Sequence, residues 1–125
     1  MIGEERQLFS PKLDYQAAFN DVQGLRPGSP VRMGGVDIGN VTKVAYAADE
    51  KDYKIHVTVA IISDQSKRIK TDSVATIEGK GLLGDKMISI TLGSDKASQL
   101  PEGSTLKSKE ADDLGQMMAK LGSIS

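Results

Sequence analysis

Residues Gly24 to Gly39 read GLRPGSPVRMGGVDIG, and no stretch narrows the folding options more. Five glycines and two prolines in sixteen residues exclude helix, because glycine carries the largest backbone entropy cost and proline has no N–H to give. Pro27-Gly28 fits a type II turn, and Gly34-Gly35 fits a tight reversal or bulge. Short strands are left room at Pro30 to Met33 and Val36 to Tyr46, with Gly39 marking a bend or a close backbone approach.

The flanking sequence follows the same period-2 logic. Leu13, Tyr15, Ala17 and Phe19 alternate with polar or small residues, as on a half-buried strand, until Asn20 and Asp21. Lys54 to Ile62 is the clearest strand, with Ile55, Val57, Val59 and Ile61 on one face and His56, Thr58 and Ala60 on the other. Further strands are expected at Ser73 to Glu78, Lys86 to Leu92 and Thr105 to Lys107. About seven short strands with closely spaced turn signals predict an all-β fold, and strands this short favour a small closed barrel, which also removes exposed edges. Aromatic residues are only 4% of the chain, so the core must be largely aliphatic.

The strands at Ser73 to Glu78 and Lys86 to Leu92 are joined by Gly79 to Asp85, GKGLLGD. Leu82 and Leu83 stand side by side at this tip, between Gly81 and Gly84. Two leucines left in water forgo roughly 1.5–3 kcal/mol of burial each, so the tip points to a partner, a pore or a lipid. The alternative is a plug that folds back over the domain's own core.

From Glu110 the period changes. Leu114, Met117, Met118 and Leu121 fall at i, i+3, i+4 and i+7, one apolar stripe of a short helix with acidic residues at its start and Lys120 near its end. A helix this short needs something to lie against. Helix association, lipid, and packing back on the barrel all satisfy that need.

Catalytic motifs fail on context. Gly79, Gly81 and Gly84 match G-x-G-x-x-G, but a strand follows where a dinucleotide site requires a helix N-terminus, and Asp85 stands where a phosphate-binding loop needs lysine. His56 has no second histidine or carboxylate at ligand spacing. Asp14, Asp21, Asp37 and Glu78 show no pairing. The basic cluster Lys67, Arg68 and Lys70, placed in a loop, reads as solvated surface ahead of an anion site. There is no cysteine, hence no disulfide framework or thiolate metal site, and no cofactor is expected. A net charge of −1 gives no field for a polyanion, which argues against nucleic acid. The longest apolar run, Val57 to Ile62, is far short of the roughly twenty residues that span a bilayer.

Three spaced segments, FNDVQGLRPGSPVRMGGVDIGNV, DSVATIEGKGLLGDKMISITLG and LPEGSTL, together resemble the mammalian-cell-entry (MCE) domain of the MlaD type over roughly Leu13 to Lys107. The ending DDLGQMMAKLGSIS resembles the helical tail that follows such domains. The resemblance implies a leader over residues 1–11 after an N-terminal membrane helix, with Met1-Ile2-Gly3 as its cut edge, a seven-stranded barrel over 12–108 and a tail over 109–125. It further implies homohexameric rings in the periplasm, anchored to the bacterial inner membrane. In such rings the loop matching Gly81 to Gly84 lines a hydrophobic pore and the tail helices associate. The ring would work with an ABC-type permease and ATPase to move phospholipid between inner and outer membranes. A cell-envelope module that docks protein without lipid is the competing class, and an enzyme the weaker one.

Overall fold

The computed structural model describes residues 11–79 and 85–110. Seven strands appear: β1 Lys12–Phe19, β2 Pro30–Met33, β3 Val36–Tyr46, β4 Ile55–Ile62, β5 Val74–Gly79, β6 Lys86–Ile90 and β7 Lys107–Ser108. They form one sheet in the order β1-β4-β3-β2-β6-β5-β7. The sheet curls back on itself: the Gln16 N–H donates to the Ser104 carbonyl, and the Leu106 N–H to the Gln16 carbonyl, joining β1 to the segment that leads into β7. The all-β barrel expected from the alternation is present, while the expected C-terminal helix lies outside the described residues.

Turn chemistry matches the glycine reading. In Arg26-Pro27-Gly28-Ser29 the Ser29 N–H donates to the Arg26 carbonyl and Gly28 has φ of 95°, as a type II turn requires at its third residue. Gly34 and Gly35 both have positive φ, 61° and 85°, and Met33 pairs with Val36, so β2 and β3 form a two-residue hairpin.

Two bulges in β3 supply the curvature. Against β2, Val31 pairs with Gly39 and Arg32 with Asp37, leaving Ile38 as an extra residue. Against β4, Val41 pairs with Val59 and Lys43 with Thr58, leaving Thr42 extra. Each bulge bends the strand and tightens its twist. Ile38 and Val41, an odd step apart, therefore both reach the interior. Between them, a Cβ on Gly39 would stand 2.0 Å from the Ala60 carbonyl oxygen, so only glycine allows the two strands this close.

The interior is filled. Tyr15, Ala17 and Phe19 of β1 meet Val57, Val59 and Ile61 of β4, with Val31, Val41, Ile88 and Ile90 completing the packing, all essentially inaccessible. Fully burying one such large aliphatic side chain is worth about 1.5–3 kcal/mol, and the barrel derives its stability from this core. Tyr15 reaches past the apolar side chains to donate its hydroxyl to the Leu100 carbonyl, and burial pushes its ionisation upward.

Three expectations are corrected. Lys67 and Arg68 belong to a 3-10 helix, Ser63–Arg68, instead of a loop; Asp64 in its first turn and the two bases in its last suit the helix dipole. The β6 strand ends at Ile90, leaving Thr91 and Leu92 outside it. The last strand is Lys107–Ser108, with Thr105 contributing only an isolated bridge to Gln16.

Candidate functional site

Strand directions sort the connections to the two ends of the barrel. β5 finishes where β6 begins, β2 runs parallel to β6, and β1 and β4 are antiparallel. One end therefore gathers the β5–β6 connection, the segment 20–29, the β3–β4 turn and the exit of the chain after β7. The other gathers residue 11, the Gly34-Gly35 hairpin, the 3-10 helix and the segment 91–100.

At the first end β5 and β6 pair in antiparallel register through Ile77 with Ile88, Glu78 with Met87 and Gly79 with Lys86. The hairpin foreseen around the leucine tip is therefore built up to its root. Gly81, Leu82, Leu83 and Gly84 lie outside the described residues. At the root the Asp85 carboxylate faces the Arg26 guanidinium at 4.0 Å, both side chains exposed.

The same end is capped from within. Leu25, in the connection between β1 and β2, is 4% exposed and belongs to the core. Its segment is held by Leu25 N–H to the Val22 carbonyl, Gln23 N–H to the Asp21 carboxylate and Gly28 N–H to the Val41 carbonyl.

The chain leaves β7 beside this cap. The Lys109 N–H donates to the Ala75 carbonyl, the Ser108 hydroxyl to the Ala18 carbonyl at 2.6 Å, and the Asn20 N–H to the Glu110 carboxylate. Leu114, Met117, Met118 and Leu121 lie outside the described residues. Both stretches singled out by the sequence thus depart from one end of the barrel, and residue 11 lies at the other.

Sequence reasoning missed one pairing. His56, read as lacking a carboxylate partner, places Nε2 2.8 Å from Asp52 Oδ2. The Lys54 N–H and then the His56 ring hold the Asp52 carboxyl below the usual carboxylate range. A spacing of four, unremarkable within a strand, becomes a contact because Asp52 sits in the turn entering β4. The pair borders an open depression of about 370 Å³ on the outer face, lined also by Gln16, Lys43, Tyr46 and Thr58. Among the described residues no three His, Asp or Glu side chains are placed to hold a metal ion. Asp37 pairs with Arg32 at 2.6 Å near the end that holds residue 11, far from Glu78, so the four carboxylates considered from sequence do not converge.

Comparison with known proteins agrees with this architecture. The family described as MlaD protein matches residues 11–93. The chain is 36% identical over 93 residues to the intermembrane phospholipid transport system binding protein MlaD of Haemophilus influenzae, covering 73% of this chain and 54% of that protein. It is 31% identical over 102 residues to the protein of the same name from Escherichia coli K12, covering 82% and 52%. The chain thus spans about half the length of the curated relatives it matches. A chain of the Acinetobacter MlaFEDB complex in its ATP-bound Vtrans1 conformation shares the fold, with a TM-score of 0.65 at 21% identity over 90% of this chain and 82% of that one. With a barrel of this topology and a family match over most of its length, the chain belongs to the MlaD family.

Proposed function

We propose that this chain is the lipid-binding, channel-forming part of a bacterial system that moves phospholipid between the inner and outer membranes. In this reading, barrels assemble as a homohexameric ring in the periplasm, tethered to the inner membrane by an N-terminal helix. An ABC-type permease and ATPase supply the drive. Gly81, Leu82, Leu83 and Gly84 form the loop that lines the channel, and Leu114, Met117, Met118 and Leu121 form the stripe through which tails associate or meet lipid. The relatives named as phospholipid transport system binding proteins support the substrate class.

The observation that carries the reading is a core assembled largely from strand residues, with Leu25. Among the described residues the interior is occupied by core side chains, which supports a lipid passage outside the single barrel. Leu25 is buried in the core at the end where the β5–β6 connection departs. An apolar tip beside such a core suits contact with lipid, and the proposed passage then runs between copies.

The test is the double variant Leu82→Asn, Leu83→Asn. Each unpaired amide facing hydrocarbon costs on the order of 1–3 kcal/mol, so transport falls steeply, measured as outer-membrane lipid balance in cells carrying the full-length protein. Thermal unfolding of the barrel stays nearly constant, since surface substitutions change stability by about ±0.5 kcal/mol. A large loss of stability would establish the plug instead, and normal lipid balance with an intact fold would reject both. Deleting residues 112–125 should weaken oligomers in sedimentation while sparing the fold.

A further inference from the structure

We propose that in the single chain the apolar stripe Leu114, Met117, Met118 and Leu121 is docked on its own barrel, in the open depression beside the β3–β4 turn. The depression holds about 370 Å³, and Ala45, Tyr46, Ala47 and Ala48 form its apolar side. Three side chains cut down to one methyl leave a hollow beside the tyrosine ring. Tyr46 itself is 86% exposed, so the largest apolar group bordering the hollow meets water over most of its surface.

The route by which the chain leaves the barrel selects the occupant. Gln16, which borders the depression from β1, also holds the departing chain: its N–H donates to the Ser104 carbonyl and its carbonyl accepts from the Leu106 N–H. Further along, the Ala18 carbonyl accepts from the Ser108 hydroxyl, and the Asn20 N–H donates to the Glu110 carboxylate. Tyr46 lies opposite Ile55, and Ile55 opposite Phe19, the neighbour of Asn20. From β1 across to β3 is two strand spacings, about 10 Å. The chain from Glu110 to Leu114 can reach about 14 Å, so the stripe begins within range of the tyrosine. A segment tethered this closely meets the depression at millimolar effective concentration, well ahead of a free partner.

The chemistry of the two surfaces matches. Methionine is unbranched, fills irregular gaps and sets its sulfur favourably against an aromatic ring, and Met117 and Met118 stand at the centre of the stripe. An open depression covers too little of a small molecule to hold it, whereas an amphipathic helix needs only its apolar face covered. One stripe cannot lie on the barrel and against other tails at once. Docking is therefore the state of a chain on its own, and it does not depend on whether a ring forms.

The experiment is NMR of the full 125-residue chain carrying labelled methionine methyls, at a dilution where sedimentation shows single copies. Contacts from the Met117 or Met118 methyls to the Tyr46 ring are expected, with the resonances of those methyls shifted by the ring. Tyr46→Ser with Ala47→Glu should return them to the positions of an unstructured methionine at unchanged unfolding temperature. Tyr53, 87% exposed on the same turn, does not border the depression, and Tyr53→Ser should leave the methyls in place. So should Leu82→Asn with Leu83→Asn, which separates the docking from the channel reading. Unstructured methyl positions in the parent, contacts found only between differently labelled copies, or release by Tyr53→Ser as complete as by the depression variant each overturns the proposal.

Discussion

At one end of the barrel Leu25 closes the core from within a turn; at the other Ile69 does so between the 3-10 helix and β5. The surroundings of these two caps differ. Ile69 is locked among segments bonded to one another, through Leu100 N–H to the Ile69 carbonyl, Thr71 N–H to the Ser98 carbonyl and Gly93 N–H to the Arg68 carbonyl. Leu25 is held by its own segment and by β3, and among the described residues the adjacent root of the β5–β6 connection adds the exposed Arg26–Asp85 pair. The lesson is one of degree: among the described residues, one end is tied by backbone bonds between its loops, and the other mainly by bonds from its connections to the neighbouring strands.

Substitutions can break that comparison. The largest effect is expected at the caps, where Ile69→Ala should cost about 2–5 kcal/mol in chemical unfolding and Leu25→Ala a value toward the lower limit, because a turn can collapse into the space more readily. A Leu25 variant costing nothing would mean that another group closes its end, and would revive the plug. Next come two glycines. A Cβ on Gly93 would lie 1.9 and 2.2 Å from Lys70 Cγ and Cβ, so Gly93→Ala should destabilise by about 1–3 kcal/mol. Gly79, at the loop root, has no atom of the described residues within 4 Å of the same position, and Gly79→Ala should be neutral or slightly stabilising. Equal effects would erase the distinction between the ends.

Smaller effects refine it. Arg26→Ala should leave unfolding unchanged within error, as exposed ion pairs usually do, because the loop root is not part of what holds the barrel together. The smallest effect concerns pH. Hydrogen bonding from Ser94, side chain first and backbone second, holds the Asp72 carboxyl below its ordinary range. A carboxyl depressed in the folded state contributes stability that is present above its unfolded value and is lost as pH falls through the folded one. The protection of the Ser94 amide, relative to its intrinsic exchange rate at each pH, should therefore fall below the ordinary carboxylate range in the parent, and should show no such fall in Asp72→Asn.

Much of this architecture was legible in local chemistry. The Pro27-Gly28 and Gly34-Gly35 turns were readable because positive φ leaves glycine little competition, and β1 and β4 because alternate residues of each, Tyr15, Ala17 and Phe19 and Val57, Val59 and Ile61, are buried. The bulges at Ile38 and Thr42 were not, since an extra residue reveals itself only against a partner strand. The 3-10 helix was hidden for a related reason: Ser63–Arg68 has no apolar period, and it is fixed by the Ser66 hydroxyl on the Ser63 carbonyl and by Ile69 entering the core. Of the candidate site, composition marked the leucine tip and the tail stripe, whereas their departure from a common end follows from topology, which no local pattern encodes.

The two-residue β7 also dictates when the barrel can exist. It lies parallel to β5, and its Ser108 hydroxyl meets the Ala18 carbonyl of β1 across ninety residues of chain. During synthesis, β1 and β5 thus wait with unpaired edges until nearly the whole domain has been made, and contacts this distant in sequence close slowly. Open strand edges are templates for pairing with other chains. The period of greatest aggregation risk is then the interval before Lys107 and Ser108 arrive, and a chain cut short of them would present two sticky edges in place of a barrel.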